Sequence, residues 1–197
     1  MPKNRIESFS DGIFAFAATL LILNIAVDQK QALGPQLLHN WASYAAYAIS
    51  FITIGIIGAN HHQVMHQIAY VDRFFLVATV LFLMFIAFIP FPTRLLALDI
   101  QGPDAEAAAL AYGITLTGTA LLFNVLWRYA AWHQRLLRPD VDQRVVDGIS
   151  RSYALGPAAY GIATIFALVS PQFSALIYAA IAAFYVVESS IFGRRST

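Results

Sequence analysis

Arg5-Ile6-Glu7-Ser8-Phe9-Ser10-Asp11-Gly12 runs directly into Ile13-Phe14-Ala15-Phe16-Ala17-Ala18-Thr19-Leu20-Leu21-Ile22-Leu23-Asn24-Ile25. A polar, charged stretch is joined without a spacer to an uncharged apolar one. A membrane-spanning helix needs about 20 predominantly apolar residues, and the block from Phe9 to about Val27 supplies them. In lipid every backbone N–H and C=O must be satisfied within the segment, so the block reads as a helix. Strict period-2 alternation is absent, which argues against a β-barrel strand. The basic start resembles a signal peptide, but Glu7 and Asp11 do not suit its n-region, so the expectation is a retained helix.

Working outward, five further apolar blocks follow, at Trp41 to about Asn60, Phe74 to about Leu98, Ala107 to about Trp132, Ser152 to about Val169, and Phe173 to about Phe192. The last contains one late acid, Glu188. Turn signals separate them at Gly34-Pro35, Gly102-Pro103-Asp104, Pro139-Asp140 and Ser170-Pro171. Pro90, Pro92 and Pro157 fall inside blocks and predict kinks, because neighbouring helices can satisfy the carbonyls that proline frees. The segment Gln134 to Arg151 is amphipathic and predicts a surface-lying piece. The expectation is an all-α membrane protein with six transmembrane helices in a single unit over residues 1–197.

Composition agrees. Hydrophobic residues make up 59% of the chain and charged residues 12%, against about 25% charged in soluble domains. The net charge of +1 implies no nucleic acid as partner. There is no cysteine, which excludes disulfides and thiolate metal sites. Placing both termini and the two-three and four-five loops on one side gathers Lys3, Arg5, Arg73, Arg128, Arg135, Arg138, Arg144, Arg151, Arg194 and Arg195 there. Only Lys30 and Arg94 remain opposite, so the basic side, with both termini, is predicted to be cytoplasmic.

Within the first block, Phe16, Leu20, Leu23 and Val27 recur at i, i+4, i+7 and i+11 and form one seam, with Thr19 beside it. Ala15 and Ala18 permit close helix contact. By itself this describes an ordinary packed or lipid-facing helix as well as a lining one. Ser8 and Asp11 have the spacing of a capping box at the helix start. That does not explain a charged Asp11 at the membrane edge, where ionisable groups usually have a partner.

The pattern Arg5-x-x-x-Phe9-Ser10-Asp11-Gly12 opening a first transmembrane helix resembles the signature of the bacterial relatives of the endo-lysosomal potassium channel called transmembrane protein 175. Asn60-His61-His62, late in the second block, resembles the end of that family's second helix. Leu81-Phe82-Leu83 through Pro90-Phe91-Pro92-Thr93 resembles its third. The likeness covers about the first hundred residues; beyond them it rests on helix count and length.

The resemblance implies a homotetrameric, potassium-preferring cation channel in a bacterial inner membrane, passing K⁺ and other monovalent cations passively and needing no cofactor. Its pore is lined by the first helix of each subunit, without a carbonyl filter. Carried over from Asp11, the narrowest layer falls on Phe16, the family's pore threonine on Thr19, and the next apolar layers on Leu20 and Leu23. The family usually has Ile or Leu where this chain has Phe16. Arg5, Ser10, Asp11, Asn60, His61 and His62 are implied to form a polar tie that fixes the first helix.

Other readings stay open beside it. His62 and His66, four residues apart, share a helix face on which a metal site is conceivable. Trp41, Trp127 and Trp132 suit interfacial anchors, and Arg94 with Asp99 an outer mouth. Gly55, Gly58, Gly113 and Gly118 suit close packing. A secondary transporter would want ionisable groups at mid-membrane, and these blocks hold almost none. A non-conducting structural or regulatory membrane protein is the remaining alternative. No nucleophile–base pair or paired acids point to an enzyme.

Overall fold

The computed structural model describes residues 3–25, 27 and 32–193, the side chains of 186–193 excepted. Lys30, Arg194, Arg195 and the Glu188 side chain lie outside the described residues. The described elements are helical: α1 Lys3–Leu20, continued by a 3₁₀ turn Leu21–Asn24; α2 Leu33–His39; α3 Trp41–Gln67; α4 Arg73–Phe88; α5 Pro90–Asp99; α6 Ala105–Ala131, continued by a 3₁₀ turn Trp132–Gln134; α7 Gln143–Phe166; α8 Pro171–Gly193. Among the described residues four segments are long and apolar enough to cross a membrane: Lys3–Asn24, Trp41–Gln67, Arg73–Asp99 and Ala105–Gln134. The described apolar part of α8, Pro171–Tyr185, is shorter.

Helix ends depart from the apolar blocks in one direction. α1 begins at Lys3 instead of Phe9, α3 runs on to Gln67, and α7 begins at Gln143 instead of Ser152. Hydropathy marks only the part of a helix that lies in hydrocarbon, and a rod can continue into water on polar residues. Ser8 is therefore no N-cap, since it lies inside α1, and Asp11 is not part of a capping box. Half of the amphipathic stretch from Gln134 to Arg151 is the opening of α7, capped by the Asp142 carboxylate on the Arg144 amide. The Gly34-Pro35 turn is instead part of α2. Proline is tolerated in a first helical turn because its missing N–H would be unpaired there anyway.

α6 is the central rod. It packs against α4, α5, α7 and α8, and α1 lies on α3 and α4 at the edge. Tyr112, Leu116, Leu126 and Trp127 of α6 are buried with Phe82 and Ile86 of α4. Trp127 is thus a core residue, its indole N–H donating to Ser150 Oγ at 2.8 Å, while Trp41 and Trp132 are exposed as anchors would be. A Cβ at Gly113 would run into Thr164 and the Tyr178 hydroxyl, and one at Gly58 would press on the Phe14 ring. Gly55 faces open space and serves no packing within the chain.

Two of the internal prolines, Pro90 and Pro157, are repaired locally. The third rod passes from α4 to α5 through Ile89, whose amide turns back to the Ile86 carbonyl at 3.2 Å. Pro157 cannot donate to the Tyr153 carbonyl, and the Asn124 amide nitrogen from α6 donates to it instead. At one end of the bundle the two-three and four-five loops are clasped together. The Ala69 amide donates to the Leu136 carbonyl at 2.8 Å and the Arg138 amide to the Gln67 carbonyl at 2.9 Å, while Tyr129 and Arg135 both meet the Asp72 carboxylate. His133 and Gln134 adopt left-handed backbone conformations to make this reversal.

Candidate functional site

α1 has two faces. Ile6, Ser10, Phe14, Ala17 and, in the following turn, Leu21 are buried at spacings of three and four, and they seat the helix on α3 and α4. Phe16 lies on the opposite face and is 61% exposed; Leu23 is 72% exposed. Thr19 is exposed as well, its hydroxyl donating to the Phe16 carbonyl at 2.8 Å and leaving the oxygen lone pairs outward. Leu20 is half-buried. Phe16, Thr19 and Leu23 therefore lie on a seam that the described residues do not cover, and Leu20 forms its border.

The turn after Leu20 tightens to 3₁₀ geometry. There residues i and i+3 eclipse, so Leu23 stacks over Leu20 instead of drifting around the axis. No residue pattern announced this. Its structural correlate is Asn24, whose side-chain nitrogen donates to the Pro90 carbonyl of α5 at 3.0 Å. Sequence reading passed over Asn24 as one polar residue in an apolar run.

The polar residues around the other end of α1 are arranged differently from a single tie. Ser10 is buried and donates to the Ile6 carbonyl of its own helix at 2.8 Å. His61 is buried between aromatic rings, 5.6 Å from Phe14 and stacked 5.6 Å from Phe82 at 12°. Its Nε2 has no hydrogen-bond partner among the described residues. His62 meets Glu7, not Asp11, with Nδ1 3.2 Å from the carboxylate. The Asn60 carbonyl accepts the Tyr153 hydroxyl at 3.4 Å, and its side chain lines a cavity of about 60 Å³ beside Asn124 and Pro157. Arg5 and Asp11 are exposed and make no hydrogen bond or ion pair among the described residues.

Within one chain, then, α1 meets α3 through Glu7–His62 and Phe14–His61, with Phe82 of α4 completing the ring stack. Arg5 and Asp11 are left on the open side. Glu7 and Asp11, four apart, share a face of the helix, so their spacing does not tell which of the two acids meets His62. His62 and His66 rings lie 6.3 Å apart. Among the described residues no three His, Cys, Asp or Glu side chains converge as a metal site would require. Outside the membrane-spanning segments, burial alone would raise the Asp72 carboxyl. The Phe75 amide, the Tyr129 hydroxyl and Arg135 outweigh that and hold it below the usual carboxylate range.

Residues 5–90 match the family described as endosomal/lysosomal potassium channel TMEM175. A potassium channel of Chamaesiphon minutus is 38% identical over 191 residues, covering 94% of each chain. A potassium channel of Streptomyces collinus is 38% identical over 191 residues, 93% of this chain and 91% of that one. The crystal structure of a lysosomal potassium-selective channel TMEM175 homolog from Chamaesiphon minutus superposes with a TM-score of 0.87 at 35% identity, over 95% of this chain and 97% of that one.

Proposed function

This chain belongs to the TMEM175 family, and from that premise we propose that it is a potassium channel whose ion path is lined by α1. It is a membrane transport protein and not an enzyme. The observation that carries the α1 reading is the seam of Phe16, Thr19 and Leu23, exposed among the described residues on the helix that presents its other face to α3 and α4.

One helix cannot enclose a pore, so copies surround an axis, four of them by analogy with the family resemblance. Each copy forms a single unit of six spanning helices, α1, α3, α4–α5, α6, α7 and α8, in a bacterial inner membrane with both termini cytoplasmic. Phe16 makes the constriction, Thr19, Leu20 and Leu23 the layers beyond it. An apolar ring blocks hydrated ions unless it widens or the ion sheds water, so it gates and sieves at once. Ring faces attract a dehydrated cation by about 0.5–2 kcal/mol each, and because K⁺ sheds its water more easily than Na⁺, a dehydrating ring of this kind prefers K⁺ weakly. Passage is passive and uses no cofactor. Arg5 and Asp11, which have no partner among the described residues, are placed to meet neighbouring copies around the axis, while Ser10, Asn60, His61 and His62 lie at and around the contact that seats α1 on its own bundle.

The test is K⁺ and Na⁺ flux in liposomes containing the full chain, read beside its oligomer mass. Phe16→Ala raises K⁺ flux; unchanged flux in a folded oligomer of this variant rejects the constriction.

A further inference from the structure

The outer end of α1 is held by a contact that spans 66 residues of sequence, Asn24 Nδ2 to the Pro90 carbonyl. A carbonyl only accepts, so the amide nitrogen must face it. Asn24 is the last residue of the helical run, and Ile25 is already extended. Among the described residues it is the last side-chain contact that fastens α1 before α2.

The acceptor is unusually firm. Pro90 and Pro92 fix two backbone torsions within one turn. Thr93, buried, donates to the Ile89 carbonyl at 2.8 Å. That uses its one proton, so Ser50 of α3, 2.9 Å away, must donate to Thr93. The Tyr112 hydroxyl of α6, 3.0 Å from Ser50, must then donate to Ser50. The order is one-way, Tyr112 to Ser50 to Thr93 to Ile89, and it braces α5 against α3 and α6. A buried polar chain with every proton placed is rigid, because each rearrangement leaves a group unsatisfied.

We propose that Asn24 is a positioning residue for ion selection. It clamps the 3₁₀ turn Leu21–Asn24 to this braced segment and so sets the rotation at which Leu20 and Leu23 are presented. The inference rests on the reading of α1 as the pore-lining helix. When Asn24 loses its donor, the 3₁₀ turn relaxes toward α geometry, and Leu23 turns from its place over Leu20. Groups that discriminate by geometry must be held by supporting contacts to within about 0.5 Å.

The chain has no cysteine, so Leu23→Cys creates a unique labelling position. Spin labels there, in the full-length oligomer in lipid, report distances between copies without any need for conduction. In the Asn24→Leu background the distance distribution broadens and shifts; in Asn24→Gln, which keeps a donor, it returns toward the parent. Thr117→Val removes a hydroxyl contact at 3.1 Å between α6 and α7 and touches nothing on α1, so it leaves the distribution as in the parent. In flux, Asn24→Leu lowers the K⁺-over-Na⁺ preference, read as reversal potential, about five-fold, which is about 1 kcal/mol or one hydrogen bond. A narrow parent distribution that Asn24→Leu leaves unchanged overturns the positioning role alone. A parent whose Leu23→Cys labels lie too far apart to share an axis overturns the pore reading, and this inference with it.

Discussion

The two faces of α1 differ in their neighbours and hardly at all in their chemistry. The inner face offers Ile6, Ser10, Phe14, Ala17 and Leu21; the outer offers Phe9, Phe16, Thr19 and Leu23. Each is apolar with one hydroxyl, and each hydroxyl is spent on its own helix. In a soluble protein such symmetry would be strange, since water sorts residues. Lipid tails are as apolar as a protein core, so hydropathy gives no inside and outside to a spanning helix. What separates the faces is what lies against them. Ala17 sits fully buried where the helices approach, and the outer face leaves Phe9, Phe16 and Leu23 exposed together with the small residues Gly12, Ala15 and Thr19.

The largest expected effect breaks the symmetry by stability. Phe14 lies between His61 and, at 6.1 Å, Phe82, so Phe14→Ala removes a ring from a closed stack. Buried Phe→Ala changes cost roughly 3–5 kcal/mol. Phe16→Ala, on the uncovered face, changes stability by less than about 0.5 kcal/mol while raising K⁺ flux. Thermal unfolding of the two purified variants decides it. Equal losses would mean that Phe16 is packed as tightly as Phe14 once the copies assemble.

How much of this was legible follows from the same symmetry. Helix positions were readable because apolar length is a direct demand of the bilayer, and the Phe16–Leu23 seam was readable from period alone. Which face was inner was not, because both faces satisfy the same periodic rule. The misreading of Ser8 as a cap and of Ser152 as the start of α7 has one cause, that polar helix outside hydrocarbon gives no hydropathy signal. Trp127 was misplaced because a tryptophan near a helix end suits an interface as well as a core, and only Ser150, twenty-three residues on, resolves it. Asn24 to Pro90 and Asn124 to Tyr153 are contacts between distant elements, and one sequence does not pair them.

Asn124 sharpens the comparison by asking what an inner polar group is worth. Asn124→Leu removes the amide donor from the Tyr153 carbonyl that Pro157 cannot serve, which costs about 0.5–1.5 kcal/mol, the net worth of one hydrogen bond. Adding Pro157→Ala restores an amide at that carbonyl and recovers most of the loss. A double variant no more stable than Asn124→Leu would show that the nitrogen is not there to repair the proline.

Outside the membrane water does sort residues, and the Asp72 clasp shows the contrast. Its carboxyl is held below the usual range, so the folded state favours the charged form. The resulting stabilisation is present above the unfolded value of about 4 and is lost as pH falls through the depressed folded value. Asp72→Asn keeps the shape and removes this dependence. Unfolding temperatures of the parent and Asp72→Asn therefore converge as pH falls from about 7 to about 3, and a constant gap would place the effect elsewhere.

The smallest expected stability effect returns to the paired hydroxyls. Ser10→Ala and Thr19→Ala each remove a bond to a carbonyl that the helix ladder already serves, so each changes stability by no more than about 0.5 kcal/mol. Their difference is then free of folding. Ser10 is sealed inside the chain, and its loss leaves ion preference as it was. Thr19 is exposed one turn beyond Phe16, and on the reading that α1 lines the ion path its oxygen would be offered there to a cation that has shed water. Thr19→Ala therefore lowers the K⁺-over-Na⁺ preference in a reversal-potential measurement, and Ser10→Ala does not. Two variants matched in stability and alike in ion preference would mean that the outer face of α1 meets lipid.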